Sequence, residues 1–342
     1  MTELHGTKAE NTTESQVPTA RVWVLDDPRP GTSAQALGIA ERLGVPFRRI
    51  PLGWGRFPHL AGLVPGGSLL GLNAQAKRAA TVATDNPPAL VISAGRRSAA
   101  VALWMKSQYG ARVVHCMSPG LAGVLSPHGF DLLVIPAHDN PSPADNVLPV
   151  LGAPHRLSPM LLQQAEAAWH ERLAHMPHPR ITLLVGGPVR AVGMPPSVAH
   201  TLGRKVARIA QATGGSVLAT TSRRTGSEAT EALAAGLSTS LNLIYRWGEP
   251  GENPYRGFLA SADSIIVTAD SVSMISEACA THAGVYVAAP EMAGRRHHRL
   301  INSLVSAGQV RMFGTGVGAF SRPTLDEAGR VAAEILRRFP LE

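Results

Sequence analysis

Short apolar runs alternate with longer amphipathic stretches along the chain, and small, polar or glycine-containing turns separate them. Residues 21–25 and 89–93 are short, mostly apolar runs of the length expected for buried strands, whereas residues 34–43 and 198–213 have the apolar spacing of helices. Strand, turn and helix follow one another repeatedly, which is typical of an open parallel sheet covered by helices. Further strands are predicted at 47–50, 111–115, 132–135, 181–185, 216–220, 241–245, 264–268 and 285–288. Further helices are predicted at 165–175, 255–261 and 325–339, together with one that ends at 109, one that begins at 228 and one that ends at 283.

The alternation is interrupted around residues 151–180 and then starts again, and 342 residues exceed what one ordinary core needs. We therefore predict an α/β protein of two Rossmann-like doubly wound domains that face a cleft. The predicted limits are a disordered polar arm at 1–18, an N-terminal domain at 19–155 joined by the terminal helix at 325–342, and a C-terminal domain at 156–324.

The composition narrows the classes of partner. A net charge of +8 favours phosphorylated small molecules or a membrane surface, and no long basic tail or aromatic-basic pattern suggests nucleic acid. No run approaches the ~20 apolar residues of a membrane span, and the first residues lack the apolar centre of a signal peptide. We expect a cytoplasmic protein with a peripheral contact at the inner face of the membrane, in which Cys116 and Cys279 stay reduced.

Three turns in the second half could bind a phosphate-bearing ligand. Ser271, Val272 and Ser273 begin a helix, whose first amide hydrogens are free to bind phosphate oxygens, although plain capping by Asp270 or Ser271 explains them equally well. A second turn, after the strand at 216–220, combines hydroxyl groups with two arginines that can clamp phosphate, and consists of Ser222, Arg223, Arg224 and Thr225. The third turn is Gly186 and Gly187, which would let a ligand approach the backbone or simply form a tight turn.

The corresponding turns of the first half are candidates for the acceptor side. Asp26 and Asp27 follow the first strand, where an acidic residue can serve as a general base or form the turn. The remaining candidates lie beside them at the same edge of the sheet and are Gly31, Thr32, Gln35, Ser93, Gly95 and Arg96.

Several common site patterns are absent from the sequence. No glycine-rich dinucleotide fingerprint follows a strand, and no P-loop is present. His297 and His298 are adjacent and would diverge on a helix, and no other histidine has a companion set of ligands. We therefore predict no metal site.

Four segments resemble the mitochondrial-fission (elongated-mitochondria) family over about residues 21–340. They are DPRPGTSAQ at 27–35, TSRRT at 221–225, NPY at 253–255 and DSVSMISEA at 270–278. Bacterial members are usually labelled glycosyltransferases or nucleoside-diphosphate-sugar epimerases, and plant members act in organelle division. The last segment also looks like the donor-site helix of GT-B glycosyltransferases, such as the peptidoglycan lipid-linked N-acetylglucosamine transferase, although the first loop lacks that enzyme's denser glycine run.

This resemblance implies roles for particular residues. Glu277 would contact the ribose of the donor, and the residues from Ser271 to Ser273 would face its diphosphate. Apart from the resemblance, Tyr245 at the end of a predicted strand is a further candidate for the same site. The implied activity is a metal-independent transfer of sugar from a nucleotide-diphosphate sugar, with no tightly bound cofactor, to a lipid-linked or envelope acceptor. A nucleotide-sugar epimerase or hydrolase, or a non-catalytic adaptor, are the alternatives.

Overall fold

A computed structural model describes residues 21–58, 60–81, 86–126, 128–187, 194–318 and 320–341. The predicted arm at 1–18 and the end of the turn after Gly187 lie outside these ranges. Two separate parallel sheets of six strands each form the centre of the molecule. The predicted fold class, two doubly wound α/β sheets, is therefore confirmed.

The first sheet has the strand order β2-β1-β3-β4-β5-β6. Its strands are β1 Val22–Asp26, β2 Phe47–Pro51, β3 Leu90–Ala94, β4 Arg112–Cys116, β5 Leu132–Pro136 and β6 Val147–Val150. The helices of this part are α1 Pro30–Arg42, α2 Ala74–Ala80, α3 Arg96–Tyr109 and α4 Leu121–Leu125, with 3₁₀ turns at Leu60–Leu63 and Ala137–Asp139.

The second sheet has the strand order β12-β11-β10-β7-β8-β9. Its strands are β7 Arg180–Val185, β8 Ser216–Thr221, β9 Asn242–Tyr245, β10 Ser264–Thr268, β11 Gly284–Ala288 and β12 Arg311–Met312. The remaining helices are α5 Pro159–Trp169, α6 Pro196–Thr213, α7 Ser227–Leu237, α8 Tyr255–Ala260, α9 Val272–Cys279, α10 Arg295–Ser306 and α11 Glu327–Arg338, with 3₁₀ turns at Glu171–Leu173 and Pro290–Met292.

Alternate side chains of β1 explain why both faces of the first sheet are covered. Val22 and Val24 pack into one hydrophobic cluster with α1, whereas Trp23 and Leu25 pack into the opposite cluster with α3. Helix α11 also joins the α1 cluster, although it follows the second sheet in sequence. Its apolar stripe therefore packs on the first sheet, and the domain limits drawn from the sequence remain a prediction.

The segment between the sheets is bonded to helices of both. The amide of Leu151 donates to Glu327 Oε1 of α11 at 2.6 Å, and the amide of Ala153 donates to Ser276 Oγ of α9 at 2.9 Å. Arg42 of α1 donates from Nη2 to the carbonyl oxygen of Leu157 at 2.7 Å. These contacts fix the start of α9 relative to the first sheet.

Several elements differ from the sequence-based expectation. The helix predicted at 165–175 begins at Pro159, because Ser158 caps it by accepting a hydrogen bond from the amide of Leu161 at 3.0 Å. The helix that follows β10 ends at Cys279 rather than near 283. Helices α2, α4 and α10 and strands β6 and β12 were not predicted.

The strand order reverses once in each sheet, between β1 and β3 and between β7 and β10. At such a switch point the loops after the two strands leave in opposite directions and open a crevice at the carboxyl ends of the strands. None of the helices in the described ranges is long and apolar enough to cross a membrane.

Candidate functional site

The loops after β7 and β10 meet at the switch point of the second sheet. The amide of Gly187 donates to Asp270 Oδ2 at 2.7 Å, and the amide of Gly186 donates to Thr268 Oγ1 at 2.8 Å. A Cβ added at Gly186 would lie 2.2 Å from Asp270 Oδ2, and one at Gly187 would lie 2.0 Å from the carbonyl oxygen of Arg224. The two glycines are therefore required by close packing of the three loops.

The turn after β8 is fastened to this crevice by Thr225. Its buried hydroxyl donates to the carbonyl oxygen of Gly186 at 2.6 Å and accepts from the amide of Ser222 at 2.9 Å. Ser222 Oγ accepts from the amide of Arg224 at 3.3 Å. Thr225 was predicted to contact a ligand, and its complete burial corrects that expectation because it orients the turn instead.

The two arginines of this turn have different surroundings. Arg224 is half-buried, and its Nη2 lies 3.7 Å from Asp270 Oδ2. Arg223 is exposed and forms no ion pair within the described ranges. Asp270 Oδ1 is buried and has no hydrogen-bond partner among the described residues. A polar ligand or water beside it would satisfy this oxygen, since buried polar atoms in proteins are normally hydrogen-bonded.

The start of α9 supplies backbone amides next to Asp270. Ser271 caps the helix, with its Oγ accepting from the amide of Met274 at 3.4 Å, so the capping alternative is realised at this residue. Val272 and Ser273 lie in the first turn, where amide hydrogens have no acceptor within the helix and the dipole favours an anion. A Cβ added at Gly31 of α1 would lie 3.1 Å from Ser273 Oγ, so the first sheet's loop faces this helix start directly.

Glu277 has a protein partner that the sequence did not reveal. Its Oε2 accepts a hydrogen bond from the Tyr255 hydroxyl at the start of α8. Burial raises the pKa of Glu277, and burial together with the Glu277 charge raises the pKa of Tyr255 well above its usual value. Oε1 of Glu277 has no hydrogen-bond partner within the described part of the chain. One oxygen of Glu277 is therefore held in place, and the other is unpaired among the described residues.

Tyr245 lies apart from this group. It ends β9, which is two strands away from β7, and its hydroxyl donates to the carbonyl oxygen of Glu249 at 3.3 Å. The structure does not bring it to Asp270.

The two carboxylates predicted as general bases are both paired. Asp27 is buried and receives two bonds from the Arg29 guanidinium, at 2.8 Å from Nε and 3.0 Å from Nη2, a contact that raises the pKa of Arg29. This pairing corrects the expectation for Asp27. Its carboxylate holds Arg29 within the loop and is not free to act as a general base. Asp26 is partly exposed and accepts from Ser33 Oγ and from the Arg49 guanidinium.

The acceptor-side candidates cluster at the switch point of the first sheet. Gly95 has φ +83°, and an added Cβ would lie 3.0 Å from Thr32 Cγ2. Gln35 donates from Nε2 to the carbonyl oxygen of Gly31 at 3.2 Å. The loops after β1 and β3 are therefore in contact.

Ser93 does not reach this surface. Its side chain is buried in β3, with Oγ 2.8 Å from His115 Nδ1, and burial lowers the pKa of His115 to about 3. The predicted place of Ser93 on the acceptor side is corrected accordingly. Arg96, three residues later, is exposed at the start of α3.

A cavity of about 640 Å³ lies between the first sheet and α10, and we call it the interdomain cavity. Arg96, at the start of α3, lines one side of the cavity, and Arg296 and Arg299 of α10 line the other. Asp139 joins the two sides, with Oδ2 at 2.6 Å from Arg296 Nη2 and Oδ1 at 3.5 Å from Arg299 Nη2. Among the described residues, no three histidine, cysteine or acidic side chains are grouped as metal ligands. Metal independence of the activity stays a prediction.

The sequence reasoning missed five residues that the structure places in these sites, and they are Asp139, Tyr255, Asp270, Arg296 and Arg299. Tyr255 lies in the quoted NPY segment, but that segment did not indicate its contact with Glu277. Asp270 was considered only as a helix cap. Its hydrogen bond to Gly187 spans 83 residues, which local spacing cannot reveal.

Residues 30–339 match the family described as mitochondrial fission ELM1, and the chain belongs to that family. The mitochondrial fission protein ELM1 of Arabidopsis thaliana is 30% identical over 234 residues, which are 61% of this chain and 54% of that protein. The chain thus aligns with about half the length of this curated relative.

The fold is also similar to solved structures of low sequence identity. The UDP-GlcNAc 2-epimerase of Methanocaldococcus jannaschii has a TM-score of 0.55 and 15% identity, covering 93% of this chain and 99% of the epimerase. UGT89C1 of Arabidopsis thaliana, complexed with UDP-L-rhamnose, has a TM-score of 0.50 and 12% identity, covering 93% and 90%. These likenesses show a GT-B-like fold.

Proposed function

We propose that this chain is a metal-independent glycosyltransferase that uses a nucleoside-diphosphate sugar. The observation that carries the proposal is the crevice at the second switch point, where Gly187, Arg224 and the start of α9 converge on Asp270. The glycines let the three loops pack closely, the helix start offers amide hydrogens, and the arginines offer positive charge. This combination suits a diphosphate.

The donor would lie across this crevice with its diphosphate at Val272 and Ser273 and beside Arg223 and Arg224. Its ribose would hydrogen-bond to Glu277, whose Oε1 lies about one and a half helical turns after the helix start. When the bond between the sugar and the diphosphate breaks, negative charge grows on the leaving oxygen. The helix start and the arginines would stabilise this charge without a metal.

The acceptor would approach from the first switch point, where Gly31, Thr32, Gln35 and Arg96 are exposed or partly exposed. Gly31 is close to Ser273, so a hydroxyl group held there would be near the donor sugar. Asp26 is paired with Arg49 but partly exposed, whereas Asp27 is buried, so Asp26 is the first carboxylate to test for taking the hydroxyl proton.

The interdomain cavity supports transfer rather than epimerisation. A volume of about 640 Å³ is large enough for a second substrate. Epimerisation acts on one bound sugar nucleotide and needs no space for a second substrate. UGT89C1, which shares the fold, is complexed with UDP-L-rhamnose, so a UDP-sugar is the first donor to test.

The proposed acceptor is a lipid-linked or envelope glycan, with the protein peripherally bound to the inner face of the membrane. The 3₁₀ turn Leu60–Leu63 and α4 pack against each other and against α3. Support comes from the exposed apolar side chains on and around these two elements. We call this surface the apolar patch, and its members are Phe57, Leu60, Leu63, Leu70, Leu121, Val124 and Leu125.

Product analysis separates the activities. The protein would be incubated with a panel of UDP-sugars, with and without a polyprenyl-diphosphate-linked acceptor, and the products resolved by chromatography and mass spectrometry. The proposal expects a glycosylated acceptor and free UDP only when the acceptor is present. An epimerised sugar nucleotide without acceptor would contradict transfer, and the absence of any product or nucleotide binding would favour an adaptor.

A further inference from the structure

The interdomain cavity has an excess of positive charge. Three arginines and one aspartate are its charged lining residues, which leaves a net charge of +2. Asp139 is shared by Arg296 and Arg299, whereas Arg96 forms no ion pair within the described ranges. Guanidinium groups that converge in a concave site favour a phosphate or diphosphate, whose oxygens accept two hydrogen bonds from each fork.

The rest of the cavity lining is largely apolar. Met117 contributes to it directly after β4, Leu133 and Ile135 from β5, and Val147 from the start of β6. A small polar anion would leave these side chains without contact. The lining therefore matches a ligand that carries both a phosphorylated group and a hydrocarbon portion.

The apolar patch adjoins this cavity through Arg96. A Cβ added at Gly120 would lie 3.3 Å from Arg96 Cδ, and α4 begins at the next residue, Leu121. Leu121 and Val124 of α4 are 58% and 73% exposed, although both are large apolar residues. A hydrocarbon chain that leaves the cavity past Arg96 would thus meet the exposed apolar side chains of α4, which belong to the proposed membrane contact.

We propose that the interdomain cavity binds the diphosphate of a polyprenyl-type lipid, with Arg96, Arg296 and Arg299 on the diphosphate and the hydrocarbon chain passing over α4. This inference rests on the proposed function, because it names the acceptor class and the place of its charged group. The site is separate from the donor crevice, since Arg223 and Arg224 are not among its lining residues.

Helix α10 lies between the two sites. Arg296 and Arg299 are three residues apart and share the face that turns toward Asp139. His297 follows Arg296 and is near enough to Asp270 and Arg224 for their charges to act on its pKa, which burial lowers. Donor and acceptor diphosphates would therefore both lie near α10, but on different residues.

Calorimetric titration with farnesyl diphosphate, inorganic pyrophosphate and UDP tests the inference on the full chain. We expect farnesyl diphosphate to bind at least ~10-fold more tightly than pyrophosphate, because only the former uses the apolar lining. Arg296→Gln and Arg299→Gln should each weaken farnesyl diphosphate binding by ~10-fold, because each removes a charge-assisted contact. UDP affinity should change less than about twofold.

Two further variants keep the result interpretable. Arg295→Gln removes the same charge from the same helix at an exposed position that does not line the cavity, so it should leave farnesyl diphosphate binding unchanged. Arg96→Gln serves if either α10 variant proves unstable, because Arg96 is exposed and has no ion pair within the described ranges. It should show the same ~10-fold loss.

The outcomes distinguish this inference from the proposed function. Equal affinities for pyrophosphate and farnesyl diphosphate, or unchanged binding in the cavity variants, would overturn the lipid site and leave the donor crevice intact. A parallel loss of UDP affinity in the cavity variants would overturn it too, because the cavity would then hold the donor. Farnesyl diphosphate binding that depends on the three arginines, in a protein that binds no nucleotide, would support the lipid site and contradict the proposed function.

Discussion

The hydrogen bond between Tyr255 and Glu277 allows the ligand role of Glu277 to be separated from a structural one. Glu277→Gln keeps the size of the side chain, and the amide oxygen can still accept from the Tyr255 hydroxyl. Burial raises the pKa of Glu277, so the fold does not favour its charged form, and loss of the charge should be tolerated. We expect the free energy of unfolding to change by less than ~1 kcal/mol.

The same substitution should weaken nucleotide binding. A ribose diol that donates to the carboxylate makes charge-assisted hydrogen bonds, and their loss costs ~1.5–3 kcal/mol, or ~10- to 150-fold in affinity. UDP titration by calorimetry and urea unfolding of the unliganded protein provide the two measurements. Tyr255→Phe is the comparison, because it leaves Glu277 Oε2 without its donor and should lower the free energy of unfolding by ~1–3 kcal/mol. Unchanged UDP affinity together with a destabilised Glu277→Gln protein would refute the donor role.

Three further predictions concern packing, acid stability and the membrane contact. Gly187→Ala should lower the free energy of unfolding by at least ~2 kcal/mol in urea titrations, because its Cβ would lie 2.0 Å from a carbonyl oxygen. Gly314→Ala, which has open space around it, should not, and equal effects of the two variants would contradict the packing. Burial lowers the pKa of His155 to about 4, so the unfolded chain binds a proton that the folded protein does not. As the pH drops from about 6.5 toward 4, this group should lower the free energy of unfolding by ~1.4 kcal/mol per pH unit. His155→Gln should lack this contribution, and an unchanged slope would argue against the buried neutral ring. Val124→Asp should reduce cosedimentation with anionic vesicles, while Met160→Asp, on exposed α5, should not, and equal retention of both variants would exclude the apolar patch as the contact.

Ten of the twelve strands in the described ranges could be predicted because their local sequence is apolar, whereas β6 and β12, which are mostly partly buried or exposed, could not. Ser264–Thr268 is buried on both faces and rich in β-branched residues, and its predicted and observed limits agree. Helix α10 escaped prediction because it opens with Arg295, Arg296, His297, His298 and Arg299, so its first turns carry no apolar signal. Helix α4 has only five residues, too few for any periodicity to appear.

The candidate site could be predicted only where it follows a strand end. Gly186, Gly187 and Arg224 were found because the carboxyl ends of parallel strands meet at one edge of a sheet. The pair formed by Asp139 and Arg296 joins residues 157 positions apart, and neither residue lies in a pattern that indicates the other. Burial also decided roles that residue type could not, as Thr225 and Ser93 show.

Calorimetric titration of the full chain with UDP, in buffer with and without a chelator, tests the central claim most directly. The crevice formed by Gly187, Arg224, Asp270 and the start of α9 predicts saturable one-site binding, with a dissociation constant that changes less than about twofold when the chelator is added. No binding of UDP or of other nucleoside diphosphates at millimolar concentration, or binding that disappears with the chelator, would contradict the account.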